Sequence, residues 1–163
     1  MSDERVLLLD TNVWLSNYLP SRPNHDLVKE LVTNALAKNV TLLYPIHSAN
    51  DIFYIVASDM KKLYRIENNG EMNSRVASAA NSAAWGCINN LGEVALAVGA
   101  DLSDVWMAQK QRRLHSDFED DMVIAAAVRS KADLLVTEDK ELAANAPVAT
   151  ASVAKALEWL ESL

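Results

Sequence analysis

Residues 5–10 read Arg-Val-Leu-Leu-Leu-Asp, a short apolar run that ends on a carboxylate. A strand with one wet face alternates apolar and polar side chains. A strand that is apolar at every position is buried on both faces, as in a parallel sheet covered by helices. Ligands of such sheets gather beyond the carboxyl ends of the strands, so Asp10 stands where chemistry is expected. Working outward, Val40–Tyr44 (VTLLY) reads as a second strand stopped by Pro45, Val94–Val98 (VALAV) as a third, Asp133–Thr137 (DLLVT) as a fourth and Pro147–Thr150 as a short fifth. Helices fall between them: Val13–Tyr18, His25–Lys38 started by Asn24, Ser48–Arg65 broken by Asn68, Asn69 and Gly70, and an alanine-rich Arg75–Asn89. Leu102–Leu114 follows a cap at Asp101 or Ser103, Met122–Arg129 follows a cap at Asp117, Lys140–Asn145 makes a helical turn, and a last helix closes at Leu160. This alternation predicts an α/β fold, three layers α/β/α around a central parallel five-stranded sheet.

The chain has 163 residues, half of them hydrophobic, which suits one core and a single domain over 1–163. No run approaches the roughly 20 apolar residues of a membrane span, and Asp3 and Glu4 stand where a secretory signal carries basic residues, so a cytoplasmic protein is expected. The single cysteine, Cys87, reads as a small buried apolar group. A net charge of −7 argues against a protein that grips nucleic acid through a broad basic face. Part of that charge is concentrated in Asp117, Glu119, Asp120 and Asp121, where a bound divalent cation would reverse the local sign.

Six acids sit at positions that invite chemistry. Asp10 ends a buried strand, where an unpartnered carboxylate costs several kcal/mol unless it caps a helix or meets a cation. Asp139, in Thr137-Glu138-Asp139, ends the fourth strand at the same edge, although it can also cap the turn at Lys140. Asp117, Asp120 and Asp121 share one helical face and repel one another, only partly relieved by a helix N-terminus. Asp51 stands three after Ser48, the outline of a capping box. Carboxylates around a hole suit Mg²⁺ or Mn²⁺, hard ions that activate a water for attack on phosphorus without a nucleophilic side chain. His25, His47 and His115 lack zinc-ligand spacing with Cys87 or one another; His47, ahead of Asp51, reads as a surface or capping histidine that can contact substrate.

Leu8-Leu9-Asp10-Thr11-Asn12-Val13, Ser48-Ala49-Asn50-Asp51-Ile52, Asp117-Phe118-Glu119-Asp120, Asp120 to Ala127 (DDMVIAAA) and Val136-Thr137-Glu138-Asp139 occur in this order along the chain. Together they resemble the PIN-domain family, the nuclease fold that includes the VapC-type toxins of bacterial toxin–antitoxin pairs. The resemblance implies a sheet of strand order 3-2-1-4-5, an acidic Mg²⁺ or Mn²⁺ site and endonucleolytic cleavage of RNA. It assigns Asp10, Asp51, Asp120 and Asp139 as metal-binding and catalytic, Asp117 as a further metal ligand, and Thr11, Asn12 and Thr137 as groups holding the carboxylates, with Asp121 in reserve. It also implies a homodimer and a cognate antitoxin. The second acid is more often Glu in the toxin branch, and residues 67–84 match none of the family's motifs.

Lys61, Lys62 and Arg65 form one basic turn and Lys110, Arg112 and Arg113 another, either solvated helix ends or grips for phosphate. Trp14 and Tyr18 can stack on bases, fill an interface or belong to the core. Two other enzyme classes use a strand-end aspartate. Haloacid-dehalogenase-like phosphatases need a second aspartate two residues on, where this chain has Asn12, and a receiver domain orders its acids differently. The remaining alternative is a PIN-like scaffold that binds RNA or a protein partner with little catalysis.

Overall fold

The computed structural model describes residues 5–112 and 117–163. Its elements are β1 (Val6–Leu9), α1 (Thr11–Tyr18), α2 (His25–Ala37), β2 (Thr41–Pro45), α3 (Ile46–Glu67), α4 (Ser74–Val94), β3 (Leu96–Val98), α5 (Leu102–Gln111), α6 (Phe118–Ser130), β4 (Leu134–Val136), α7 (Lys140–Asn145), β5 (Thr150–Ala151) and α8 (Val153–Glu161). The sheet is parallel throughout, with order β3-β2-β1-β4-β5. Arg113, His115 and the expected helix end at Leu114 lie outside the described residues.

β1 is the centre of the sheet, and its apolar run is divided by the pleat. Leu7 and Leu9 enter one core with Trp14, Leu31, Ile52, Leu91 and Leu160. Leu8 enters the other with Leu43, Val123, Ala127, Leu135 and Leu142. Both faces are covered, which is why no polar residue is tolerated before Asp10. Among the described residues no helix is long and apolar enough to cross a membrane.

Several boundaries differ from the sequence reading. Pro45 belongs to β2 and pairs with Val98, while the register with β1 ends at Leu43, so the missing proline N–H takes nothing from a strand flanked on both sides. α4 continues to Val94, carried by the buried Leu91, and leaves only Leu96–Val98 for the third strand. The fifth strand is Thr150–Ala151 rather than Pro147–Thr150; Ala151 accepts from the Thr137 N–H at 3.0 Å. Residues 67–84, unmatched by any motif, form the turn and first half of a hairpin. Asn69 and Gly70 take positive φ at the turn, and Asn73 caps α4 by accepting from the Val76 N–H at 3.0 Å.

α3 starts at Ile46, two residues before the expected Ser48, with Pro45 at the N-cap and no side-chain capping bond. Ser48 is thus inside the helix and fully buried, and the expected capping box with Asp51 does not form. Asp51 is released from a purely structural explanation.

Candidate active site

Asp10 lies one residue past β1 and is 3 % exposed. Its main-chain carbonyl accepts from the N–H groups of Val13 and Trp14 and so starts α1, but its side chain makes no capping bond. Oδ2 accepts from the Thr137 hydroxyl at 2.9 Å, and that hydroxyl in turn accepts from the Asp139 N–H at 3.0 Å. Accepting from an N–H leaves the threonine proton aimed at Asp10, so one buried hydroxyl ties the ends of β1 and β4 together. Burial pushes the Asp10 carboxyl above the usual aspartate range; Thr137 and the backbone N–H groups of Thr11 and Asn12 pull it down, and the nearby charge of Asp139 pushes it up.

Asp139 caps α7, its Oδ1 accepting from the N–H groups of Glu141 and Leu142 at 2.7 and 3.0 Å. Asp117 caps α6 in the same way, accepting from Glu119 at 2.9 Å and Asp120 at 3.4 Å. The capping interpretation of these two acids therefore holds as far as one oxygen of each. It does not exhaust them, because a cap fixes a carboxylate's direction while leaving the second oxygen to face outward.

The sequence reading passed over Glu119. It sits in the first turn of α6, and its carboxyl is raised by partial burial first, then by the charges of Asp51, Asp10 and Asp117, with the Thr11 hydroxyl opposing. Those causes locate it between α3, the end of β1 and the α6 cap. It was visible as the third letter of Asp-Phe-Glu-Asp, but its neighbours were assigned the role. Asp120 is half-buried and Asp121 buried on the same turn.

Thr11 is buried, and its hydroxyl shares a 2.7 Å hydrogen bond with that of Ser48, fastening α1 to α3 just below Asp51. Asn12 Oδ1 accepts from Arg22 Nη1 at 3.2 Å, which turns that oxygen toward the loop before α2. His47 is half-buried; burial depresses its pKa and Asp51 raises it, so the ring favours the neutral form. Its Nε2 has no hydrogen-bond partner among the described residues.

The family model of the PIN domain matches residues 6–141. This chain belongs to the PIN-domain family. No curated protein matches it in sequence. Solved structures with the same fold include VapBC2 from Rickettsia felis bound to a DNA fragment from their promoter, 14 % identical, covering 90 % of this chain and 98 % of that one at a TM-score of 0.62. VapBC-1 from nontypeable Haemophilus influenzae is 12 % identical over 91 % and 98 % of the two chains, with a TM-score of 0.60. VapC20 of Mycobacterium tuberculosis, a Sarcin-Ricin loop cleaving toxin, is 14 % identical over 85 % and 93 %, with a TM-score of 0.57. At these identities the likeness concerns the fold, and the strand order of this PIN domain is the one its motifs implied.

Whether the PIN domain's acids suit a metal is a question of donor chemistry. Among the described residues, no three His, Cys, Asp or Glu side chains stand together as a ready-made cluster. Yet Glu119 feels Asp51, Asp10 and Asp117, and Asp10 feels Asp139, a mutual repulsion that all-oxygen donors relieve by sharing a hard divalent cation. The donor set fits such an ion.

Proposed function

We propose that this PIN domain is a Mg²⁺- or Mn²⁺-dependent endoribonuclease, and that it acts as the toxin of a toxin–antitoxin pair. The observation that carries the reading is Asp10: a carboxylate buried at the end of the central strand, tied to the end of β4 through Thr137, and raised by burial and by Asp139. Buried carboxylates whose pKa is raised by desolvation and a neighbouring charge are candidates for functional sites. Asp10, Asp51, Asp120 and Asp139 are the catalytic and metal-binding set, with Asp117 as a further ligand, and Glu119 joins them on the strength of its position. Thr137 positions Asp10, and Thr11 positions the α3 side of the site. A divalent ion bound there supplies a water of lowered pKa and neutralises charge on the scissile phosphate. The protein's own part is to hold the carboxylates at fixed angles, through the Thr137 hydroxyl at Asp10 and the cap bonds of Asp117 and Asp139.

RNA as the substrate, an antitoxin as the partner, a homodimer as the assembly and the cytoplasm as the location belong to the same proposal. They are supported by the fold shared with VapC20, described as a toxin that cleaves the Sarcin-Ricin loop, and with the VapBC complexes. The decisive experiment incubates structured and unstructured RNA with the protein in Mg²⁺, Mn²⁺ or EDTA, alongside Asp10→Asn. Cleavage in either metal that disappears with EDTA and falls at least a hundredfold in the variant is the expected result. Cleavage that survives both treatments overturns the reading.

A further inference from the structure

α3 carries more than Asp51. At about 100° per residue, Tyr54, Ser58, Lys62 and Arg65 follow Asp51 along a single face, and the buried positions Ile52 and Val56 lie on another. Tyr54 is 64 % exposed, and Ser58, Lys62 and Arg65 are exposed as well. From Asp51 to Arg65 the stripe spans about 21 Å at 1.5 Å per residue. After Asp51 it holds no acid, so its sign changes from negative at the candidate site to positive at its far end.

The near end is aromatic. Phe53 packs edge-on against Tyr54, with ring centroids 5.2 Å apart, and against Trp85 of α4, with centroids 5.1 Å apart. Phe53 itself is half-buried and fixes the other two rings, while Trp85 remains 59 % exposed. Two large exposed rings held by a third, one turn from an active-site acid, present open aromatic faces that a core would have covered. The α3–α4 pair is stiffened further out, where Lys61 Nζ donates to Asn81 Oδ1 at 3.0 Å. That bond occupies Lys61 and leaves Lys62 and Arg65 as the outward cations.

We propose that the stripe Tyr54–Ser58–Lys62–Arg65 of α3, with Trp85 of α4, is the track that leads single-stranded RNA into the carboxylates. Exposed rings stack on unpaired bases regardless of their identity, and cations spaced along a helix meet successive phosphates. The arrangement also answers the chain's net charge of −7: an acidic nuclease needs only a narrow basic strip, provided it begins at the site. The inference rests on the nuclease reading for the identity of its occupant.

The test uses fluorescein-labelled single-stranded RNA bound to the full-length protein in an Asp10→Asn background. Tyr54→Ala weakens binding by about 5- to 100-fold, as loss of a stacking ring does, and Tyr54→Phe restores it. Lys62→Gln with Arg65→Gln lowers the slope of log affinity against log salt by about 1.4, the share of two phosphate contacts on a single strand. Unchanged affinity and slope in all variants overturn the track. A Tyr54→Ala variant that binds RNA normally but shifts from dimer to monomer in light scattering also overturns it, since the rings then serve a second copy of the chain. Cleavage by the parent protein is scored separately: if the parent cleaves and the variants bind unchanged, only the track fails. If no RNA is cleaved in either metal, the nuclease reading fails while the binding data still judge the track.

Discussion

Thr137→Val removes one hydroxyl and nearly preserves the side chain's shape. That hydroxyl is buried, donates to Asp10 at 2.9 Å and accepts from the Asp139 N–H at 3.0 Å. A hydrogen bond to a charged group contributes about 1.5–3 kcal/mol, and the partly buried Asp139 N–H adds up to about 1 kcal/mol, because water can replace its acceptor only in part. The expected loss of stability is roughly 2–4 kcal/mol. For a domain of this size that lowers the melting midpoint by about 5–15 °C. The sign of the pH dependence follows from Asp10. Its folded pKa is already raised, so its contribution to stability is present below the ordinary aspartate pKa and is lost as pH rises through the folded value. Removing Thr137's donor raises that value further. The penalty of the variant is therefore full above the titration of Asp10, where the carboxylate is ionised, and shrinks as pH falls through it, leaving the Asp139 part. Urea unfolding of wild type, Thr137→Val and Thr137→Ser at neutral and acid pH measures both terms, and carboxyl NMR follows Asp10 directly. A valine variant within about 0.5 kcal/mol of wild type at neutral pH, or a penalty independent of pH, refutes the reasoning.

Glu119→Gln keeps the size and most hydrogen bonds of the side chain, so its melting midpoint stays level or rises as repulsion from Asp51, Asp10 and Asp117 is relieved. Its RNA cleavage falls at least tenfold, and unchanged turnover would remove Glu119 from the site. Arg129→Ala strips α6 of its contacts to Asp104 at 2.7 Å and Asp101 at 2.8 Å, and leaves Asp104 buried without its cation. The expected result is a lower midpoint in urea unfolding, and an unchanged midpoint would show that Asp104 does not need this cation. Ser103 and Arg129 hold Asp101 at a pKa of about 2, so the Asp101 part of that contact persists down to strongly acid pH and is lost as pH falls through that value.

How much of this could be read from the chain depends on how local the determining physics is. The both-face burial of β1 was legible because Leu7, Leu8 and Leu9 leave no alternation, and the acid after it marks the strand's end. Strand order needed the set of motifs taken together, since nothing within β2 or β4 says which lies on which side of β1. Ser48 was misread because serine three before an acid imitates a capping box; a buried hydroxyl on Thr11, 37 positions earlier, is what its environment provides. Glu119 was missed for a related reason. Its neighbours Asp117 and Asp120 fit the motif, and only the fold, which brings the start of α6 to the carboxyl edge of β1, puts the middle acid in the field of Asp51 and Asp10. Asn12 shows what adjacency cannot tell: its amide oxygen meets Arg22, ten positions on, a contact no motif announces.

Asp10, Asp117 and Asp139 each stand at the first position of a different helix, α1, α6 and α7. The positive end of a helix is worth about half an elementary charge, and three such ends each start at one of these acids. The scaffold thus carries its own permanent counterion, distributed over backbone amides and unable to diffuse away. An ion bound among these carboxylates would be a late arrival to a finished fold, and a chelator would silence such a site without dismantling the protein around it.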